Sequence, residues 1–447
     1  QFVDAVKQST IELIANKFYA SKKKDNSVTE EKIINKYELI PAQRRFITIE
    51  LSDQVSHRAN NICVSAKVKG LLNVNKLQQA LEFISSKRDI FRWSLDKETK
   101  KQYFTDKIKP IDFEFINLRS INRPWRILDN HLLEISKTQF DLKTQAPMAI
   151  KIFDVVEETH LMSVVAHHLV FDGWSMTLFF EDLASVYNLL LEGKSPELRP
   201  SLAYEEYLKT INVLDKKAEE SLLHKYLGTS KSLLFSSQTE AASYEGQRIV
   251  FDIELKVYEV LKRWCKVNKY TPFMLLFSAF AKVLMTRLEK KTLTIGIPAA
   301  NRDVPGSEVM YGNCANLVPV TLTLTETPIL NFVAQVKEKM IEGYQTMTYP
   351  YELLKDKTGP LFDVYFNLEP TSDLPEFNEA SLLIHPFNIS SSEFGLMLNV
   401  TDFENYYHCE MDFQLGLIND DLVLEIIDLL RKNLKVELLQ SVLQTKT

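Results

Sequence analysis

The amino-acid sequence predicts an α/β protein built from two similar lobes. The chain of 447 residues is too long for one ordinary hydrophobic core, because single domains usually settle at roughly 100–200 residues. Strand-like and helix-like apolar patterns are mixed along it, and the second half repeats the order of the first. These observations indicate a pseudo-dimer, and ligands often bind in the cleft at such an interface.

Composition narrows the function classes. The net charge is -6 and no long basic block is present, so nucleic acid is excluded as a partner. The most apolar window, residues 272–285, is shorter than a bilayer span and contains Lys282, which predicts a buried helix and no membrane partner. The four cysteines lack metal-ligand or CxxC spacing, and no secretion signal is seen. We therefore predict a cytoplasmic protein with free thiols and no metal site.

The first half divides into an appendage and a lobe. Residues 1–36 combine a helical apolar pattern with a charged linker, and we assign them to an N-terminal appendage. The first lobe is assigned to residues 37–200. Its predicted strands are 61–70, 148–156 and the apolar run 160–170, and its predicted helices are 72–87 and 176–193.

The second lobe is assigned to residues 201–447. It follows a connection at residues 194–207, where two prolines stand among polar residues. Its predicted strands are 247–255, 293–298, 316–324, 361–370, 393–403 and 406–414, and its predicted helices are 260–268, 271–288 and 420–443.

Polar side chains cluster where the apolar run 160–170 ends, in AHHLVFDGWS, residues 166–175. Histidine is the natural candidate base near neutral pH. Adjacent residues of an extended chain point to opposite faces, so His167 and His168 do not both face one substrate, and one is assigned to chemistry and the other to structure. Asp172 either orients the histidine or makes an ion pair elsewhere. Zinc ligation by the histidine pair is the weaker alternative, because no further ligands complete a site.

Other kinds of chemistry have no support in the sequence. A GxSxG elbow, a P-loop and a GxGxxG fingerprint are all missing, and no cysteine stands in a reactive context. Ser175 is assigned to the N-cap of a helix that begins at Met176. The chemistry that remains is general-base catalysis: a base deprotonates a bound acceptor, and the acceptor then attacks an activated acyl group without a covalent acyl-enzyme.

The stretch AHHLVFDGWSM resembles the HHxxxDG motif of nonribosomal peptide synthetase condensation domains, in the chloramphenicol acetyltransferase-like superfamily. The resemblance covers roughly residues 37–440. It departs at Asp89, where the family often has histidine, at Tyr351, which replaces phenylalanine, and near GPLFDVYFNL, where an arginine-rich signature is not recognisable. Its further motifs are PAQRRFI (41–47), SSKRDIFRW (85–93), AYEEYL (203–208), GNCAN (312–316) and YPYELL (349–354).

The resemblance implies two chloramphenicol acetyltransferase-like lobes that form a V with a central tunnel. It implies that His168 is the catalytic base or positioning group, and that Gly173 lies against the thioester or its developing oxyanion. Asp172 is implied to be structural, paired with Arg302. The remaining implied site residues are His167 and Trp174, which shape the site, and Asn367 and Asn316, which line the tunnel.

The implied reaction joins a carrier-bound acyl or aminoacyl thioester to an amine or a hydroxyl, forming an amide or an ester. No cofactor is bound permanently, because phosphopantetheine arms of acyl or peptidyl carrier proteins bring the substrates. A free small-molecule amine or alcohol is the alternative acceptor. Two other functions stay open: a coenzyme-A-dependent acyltransferase of the same superfamily, and a non-catalytic domain that docks partners.

Overall fold

The computed structural model describes residues 32–51, 56–211, 215–228, 233–235, 244–369, 375–385, 389–403 and 405–444. The helical pattern predicted near the N-terminus lies outside these residues. Strands and helices are mixed along the described chain, as expected of an α/β protein. The strands are β1 (Ile33–Glu38), β2 (Asn61–Gly70), β3 (Trp93–Asp96), β4 (Lys101–Thr105), β5 (Asp112–Asn117), β6 (Met148–Val156), β7 (Thr159–His167), β8 (Gly246–Ile253), β9 (Thr292–Ala299), β10 (Asn316–Thr323), β11 (Val364–Glu369), β12 (Ala380–Ile384), β13 (Leu396–Phe403) and β14 (Tyr406–Gln414). The helices are α1 (Arg44–Glu50), α2 (Val74–Lys87), α3 (Pro124–Ser136), α4 (Gly173–Leu191), α5 (Tyr204–Thr210), α6 (Lys216–Tyr226), α7 (Leu255–Asn268), α8 (Pro272–Arg287), α9 (Ile329–Tyr344), α10 (Tyr351–Thr358) and α11 (Asp420–Gln444).

The first lobe is built on a five-stranded sheet in the order β12-β2-β7-β6-β5. The central strand β7 pairs antiparallel with both neighbours, and residues 160–167 on it are all buried. A strand covered on both faces reads as a continuous apolar run, which explains why the sequence pattern there shows no alternation. The polar residues that follow therefore stand at the end of a fixed central strand.

A smaller sheet, β1-β4-β3, changes the predicted N-terminal boundary. β1 begins at Ile33 and pairs antiparallel with β4, with Lys36 opposite Tyr103. The segment assigned to an appendage, 1–36, therefore ends too late, because its last residues belong to the body of the first lobe. The side chains of β1 are mostly exposed and show no apolar alternation, so the sequence pattern does not predict this strand.

Helix α4 starts earlier than predicted. Its N-cap is Asp172, whose side chain accepts the N–H of Ser175 at 2.8 Å, so Ser175 lies inside the first turn and is not the cap. Aspartate and serine are comparable N-caps, and the sequence offers both within one turn. The correct choice places Gly173 at the first helical position.

The second lobe holds a six-stranded sheet in the order β10-β9-β11-β13-β14-β8. One face of it packs against α8, where the rings of Phe277 and Phe366 stack at 5.3 Å between centroids. Because side chains alternate along a strand, Tyr365, Asn367 and Glu369 of β11 lie on the opposite face. The apolar window at residues 272–285 is the buried helix that the sequence predicts.

The two lobes are interleaved in sequence. Strand β12 pairs with β2 of the first lobe, with Ala380 opposite Gly70. Tyr204 and Tyr207 of α5, and the loop residue Tyr311, also pack in the first core. The assignment of 201–447 to the second lobe therefore includes segments that complete the first. No helix in the described part of the chain is long and apolar enough to cross a bilayer.

Candidate functional site

The AHHLVFDGWS stretch spans the end of β7, a turn and the start of α4. The N–H groups of Val170 and Phe171 both donate to the carbonyl of His167, at 3.2 and 3.1 Å. The N–H of His168 donates to the carbonyl of Asn60 at 2.7 Å. The chain therefore leaves the sheet directly after His167, and the two imidazoles enter different surroundings.

His167 belongs to a buried and fully paired cluster. Its Nδ1 accepts the N–H of Leu169 at 3.1 Å, so Nε2 carries the proton and donates to Glu50 Oε2 at 3.1 Å. Glu50 also pairs with Lys97 at 2.6 Å. Burial acts to raise the pKa of Glu50, but the bond from His167 and the charge of Lys97 lower it to about 2. Neither ring nitrogen of His167, a predicted site residue, is left for a substrate.

His168 is only partly exposed and packs against α1, where its ring stacks on Phe46 at 4.5 Å between centroids. Its carbonyl accepts the side-chain N–H of Asn313 at 2.7 Å. Its Nδ1 is buried, and no described residue hydrogen-bonds to it. Burial, followed by the nearby charge of Arg45, lowers the pKa of His168 to about 3, with Asp172 opposing. The imidazole is therefore neutral at neutral pH.

Asp172 is held in two ways, and neither involves an imidazole. Its Oδ1 accepts the N–H and the hydroxyl of Ser175, at 2.8 and 2.7 Å. Its Oδ2 accepts the N–H of Cys314 at 3.1 Å, and Arg302 Nη2 lies 2.8 Å from Oδ1 and 3.0 Å from Oδ2. The structure brings Asp172 and Arg302 together, as the resemblance implied.

Arg302 ties the loop between β9 and β10 to the first turn of α4. Its Nη1 donates to the carbonyls of Ser307 and Met310, at 2.5 and 2.8 Å, and its Nη2 donates to that of Gly312 at 3.0 Å. Burial acts to lower the pKa of Arg302, but the Asp172 carboxylate raises it. The ion pair is therefore charged and buried, which makes the removal of one partner costly.

Gly173 opens α4 and faces the second lobe. A methyl group added at Gly173 would lie 3.4 Å from Oε1 of Glu369, the last residue of β11. Trp174, the next residue, is 49% exposed and donates its indole N–H to the carbonyl of Glu308 at 2.9 Å. Gly173 thus lies where the motif approaches the sheet of the second lobe, and Trp174 covers the loop beside it.

The two predicted tunnel asparagines have different environments. The side chain of Asn367 is half-buried on the face of the second sheet opposite to α8, and its Nδ2 lies 3.4 Å from Glu369 Oε1. The side chain of Asn316 is buried and bound to backbone, because it donates to the carbonyls of Met347 and Tyr349 at 2.7 and 2.9 Å. Asn316 lines a separate cavity of about 180 Å³, so of the two only Asn367 is near Gly173.

Sequence reasoning missed several residues around His168 and Gly173. Arg45 lies over the ring of Phe46 at 4.3 Å and pairs across the lobes with Glu393 at 3.4 Å. Both Arg45 and Phe46 stand in the segment PAQRRFI, which carried the resemblance without giving them roles. No sequence motif indicated Glu369, because it lies about 200 residues after the histidines and meets the motif only in the folded chain.

Two of the three departures from the family pattern, Asp89 and Tyr351, make defined hydrogen bonds in the fold. Asp89 caps α5 by accepting the N–H groups of Tyr204 and Glu205, both at 3.0 Å. The hydroxyl of Tyr351 accepts the N–H of Leu361 at 3.1 Å.

Within the described residues, no group of three or more His, Cys, Asp or Glu is arranged as metal ligands would be.

Solved structures share this fold. The first condensation domain of the calcium-dependent antibiotic synthetase, in complex with a substrate analogue, matches with a TM-score of 0.80 and 16% identity, over 90% of this chain and 95% of that one. The X-domain from teicoplanin biosynthesis matches with a TM-score of 0.75 and 20% identity, over 92% and 96%. The predicted fold of two chloramphenicol acetyltransferase-like lobes in a V is thereby confirmed.

The curated relatives are much longer proteins. Surfactin synthase subunit 1 of Bacillus subtilis (strain 168) is 23% identical over 395 residues, which cover 84% of this chain and 11% of that protein. Bacitracin synthase 1 of Bacillus licheniformis is 22% identical over 420 residues, covering 88% of this chain and 8% of that protein. The family model for the condensation domain matches residues 33–444, so the chain belongs to the condensation domain family of nonribosomal peptide synthetases.

Proposed function

We propose that the chain is an acyltransferase that moves an acyl or aminoacyl group from a carrier-bound thioester to an amine, forming an amide. A hydroxyl acceptor would give an ester by the same route. The observation that carries the proposal is that one motif holds both a neutral, partly exposed His168 and Gly173, which lies against Glu369 of the second lobe. The other polar groups of the motif, His167 and Asp172, are already bound and hold this arrangement.

His168 acts as a hydrogen-bond acceptor that positions the attacking amine. Its lowered pKa, about 3, makes the imidazole a weak base, so the ring is neutral in the resting enzyme and can accept a hydrogen bond. The amine nitrogen forms a bond to the thioester carbon, and the carbon–sulfur bond breaks. The proton lost from nitrogen ends on the departing thiolate, which is a stronger base than this imidazole, and a thiol is released.

Gly173 supplies the surface against which the thioester lies. It is the first residue of α4, where backbone N–H groups are not used inside the helix and the dipole favours negative charge. Oxygen that becomes negative during attack is stabilised by such preorganised donors. The absence of a Cβ keeps the approach open.

Phosphopantetheine arms of acyl or peptidyl carrier proteins are the proposed donors, and the carriers are the proposed partners. Support comes from the family, whose members here include synthases of surfactin and bacitracin. A coenzyme-A-dependent reaction is the alternative. Offering the same acyl group on a carrier and on coenzyme A separates them, and we expect turnover with the carrier only.

A docking function without catalysis is the second candidate. One observation favours it: the X-domain from teicoplanin biosynthesis, which shares this fold, was solved in a complex with OxyB. A domain of this architecture therefore serves as a binding surface for another protein. Against it stands a complete HHxxxDG motif in this chain.

The test uses the full chain, an acyl-loaded carrier protein and a panel of free amino acids and aminoacyl carriers. Mass spectrometry of the carrier and of released product reports transfer. We expect amide formation by the wild type and a loss of about 100-fold in His168→Ala. Undiminished turnover in that variant would remove the role of His168. Tight carrier binding without product from any acceptor would support docking.

A further inference from the structure

Glu369 brings a carboxylate from the second lobe to the motif on the first. It lies on the same face of β11 as Asn367, opposite the buried Val364 and Phe366. A methyl group at Gly173 would touch its Oε1 at 3.4 Å, so the carboxylate stands directly at the start of α4. The residue keeps part of its surface open to solvent, while neighbouring protein crowds the carboxylate.

The carboxylate has no cation of its own among the described residues. Its side-chain hydrogen bond comes from Asn367 at 3.4 Å, a long contact. Arg248, a cation on the same sheet, binds Glu410 at 2.7 Å and Asp412 at 2.6 Å instead. Surrounding protein limits the hydration of the Glu369 carboxylate, and this raises its pKa. The negative charge of Glu410 raises the pKa further, and the positive charge of Arg248 acts to lower it. A poorly hydrated carboxylate without a paired cation is stabilised by a charged hydrogen bond from a cationic ligand.

We propose that Glu369 is a specificity residue that binds the α-amino group of an aminoacyl thioester lying beside Gly173. This inference rests on the proposed function, and it names the substrate class as one that bears an amine next to the reacting carbonyl. Acyl groups without that amine offer no partner to the carboxylate. The site thereby selects aminoacyl over simple acyl chains.

A purely structural role for Glu369 makes a different prediction. A carboxylate at a helix N-terminus is stabilised by the helix dipole, and that interaction contributes typically 0.3–1 kcal/mol at exposed sites. Removing the charge would then affect stability and all ligands equally. If Glu369 acts only through the helix dipole, its removal should not change the ratio of affinities for two ligands that differ only in the amine.

The experiment measures binding, so it does not depend on turnover. The probes are alanyl-pantetheine amide and propionyl-pantetheine amide, which are non-hydrolysable and differ only by the amino group. Calorimetric titration of the full chain at pH 7 gives both dissociation constants. We expect the wild type to bind the alanyl probe about tenfold more tightly, and Glu369→Gln to abolish this preference, because a charged hydrogen bond is lost.

The matched control is Glu181→Gln, which removes the same charge from an exposed part of α4, where Arg199 is the partner. It is expected to keep the preference for the alanyl probe. Equal loss of preference in both variants would overturn the assignment to Glu369, as would a preference retained in Glu369→Gln. A wild type that binds both probes without preference overturns this inference alone. One that binds neither probe overturns it together with the proposed function.

Discussion

Arg302 and Asp172 form a buried ion pair in which one guanidinium nitrogen, Nη2, lies 2.8 Å from Oδ1 and 3.0 Å from Oδ2. The same carboxylate caps α4 through Ser175. Asp172 is therefore occupied by the helix and the loop, and is not available to orient His168. Its function is to fix where Gly173 begins the helix.

We expect Arg302→Ala to lower the free energy of unfolding by about 3–5 kcal/mol, because it leaves the buried Asp172 carboxylate unpaired. Urea denaturation measures the loss. The control is Arg199→Ala, which breaks an exposed pair with Glu181 and should cost about 0–1 kcal/mol. Equal, small losses in the two variants would show that the buried pair does not stabilise the fold.

His168 should make the wild type sensitive to mild acid. Its pKa falls from 6.5 to about 3 on folding, so the unfolded chain binds its proton first as pH falls below 6.5. Stability attributable to this group is complete above pH 6.5 and is lost progressively below it. Between pH 7.5 and 4.5 we expect the wild type to lose about 2 kcal/mol more than His168→Gln, by denaturation at each pH. Parallel curves for the two proteins would contradict the lowered pKa.

Glu50 should act in a lower pH range. Its folded pKa, about 2 against an ordinary 4.5, stabilises the fold above pH 4.5, and this contribution is lost as pH falls toward 2. We expect Glu50→Gln to cost about 2–3 kcal/mol at pH 7, measured by denaturation.

The same variant tests the structural assignment of His167. In the folded fraction, turnover by Glu50→Gln should stay within about twofold of the wild type, because the cluster supports the fold and does not contact substrate. A large fall in turnover without a loss of stability would instead place His167 in the chemistry.

Gly173→Ala should separate stability from activity. The backbone of Gly173 is not in the left-handed region, and the added methyl group would meet Glu369 at an ordinary 3.4 Å. We expect stability within about 1 kcal/mol of the wild type, since alanine is the better helix former, and turnover at least tenfold lower. Thermal unfolding and product formation are measured on the same sample.

Gly312→Ala is the contrasting variant. There a methyl group would come within 2.5 Å of the buried Tyr204 ring, so the expected result is a loss of stability. If Gly173→Ala retained full turnover, the thioester would not lie against this residue.

The regular elements were predictable where apolar patterns are strong. Strands β2 and β14 have the predicted ends, 61–70 and 406–414, because alternation marks them clearly. Strand β1 was missed, since its mostly exposed side chains carry no apolar pattern. The start of α4 was misplaced because Asp172 and Ser175 are both acceptable caps and only the packed loop with Arg302 selects between them.

The sequence by itself determined the two-lobed α/β architecture, the family and the motif at the end of β7, because these depend on local patterns and on ordered short motifs. Tertiary structure decided which histidine is bound and which is partly exposed. Glu50 closes on His167, and Phe46 stacks on His168, only after α1 packs beside β7. It also decided that Glu369 meets Gly173, since the end of β11 and the start of α4, about 200 residues apart, come together only when the lobes assemble. Contacts between distant segments depend on the whole packed fold, and no local pattern records them.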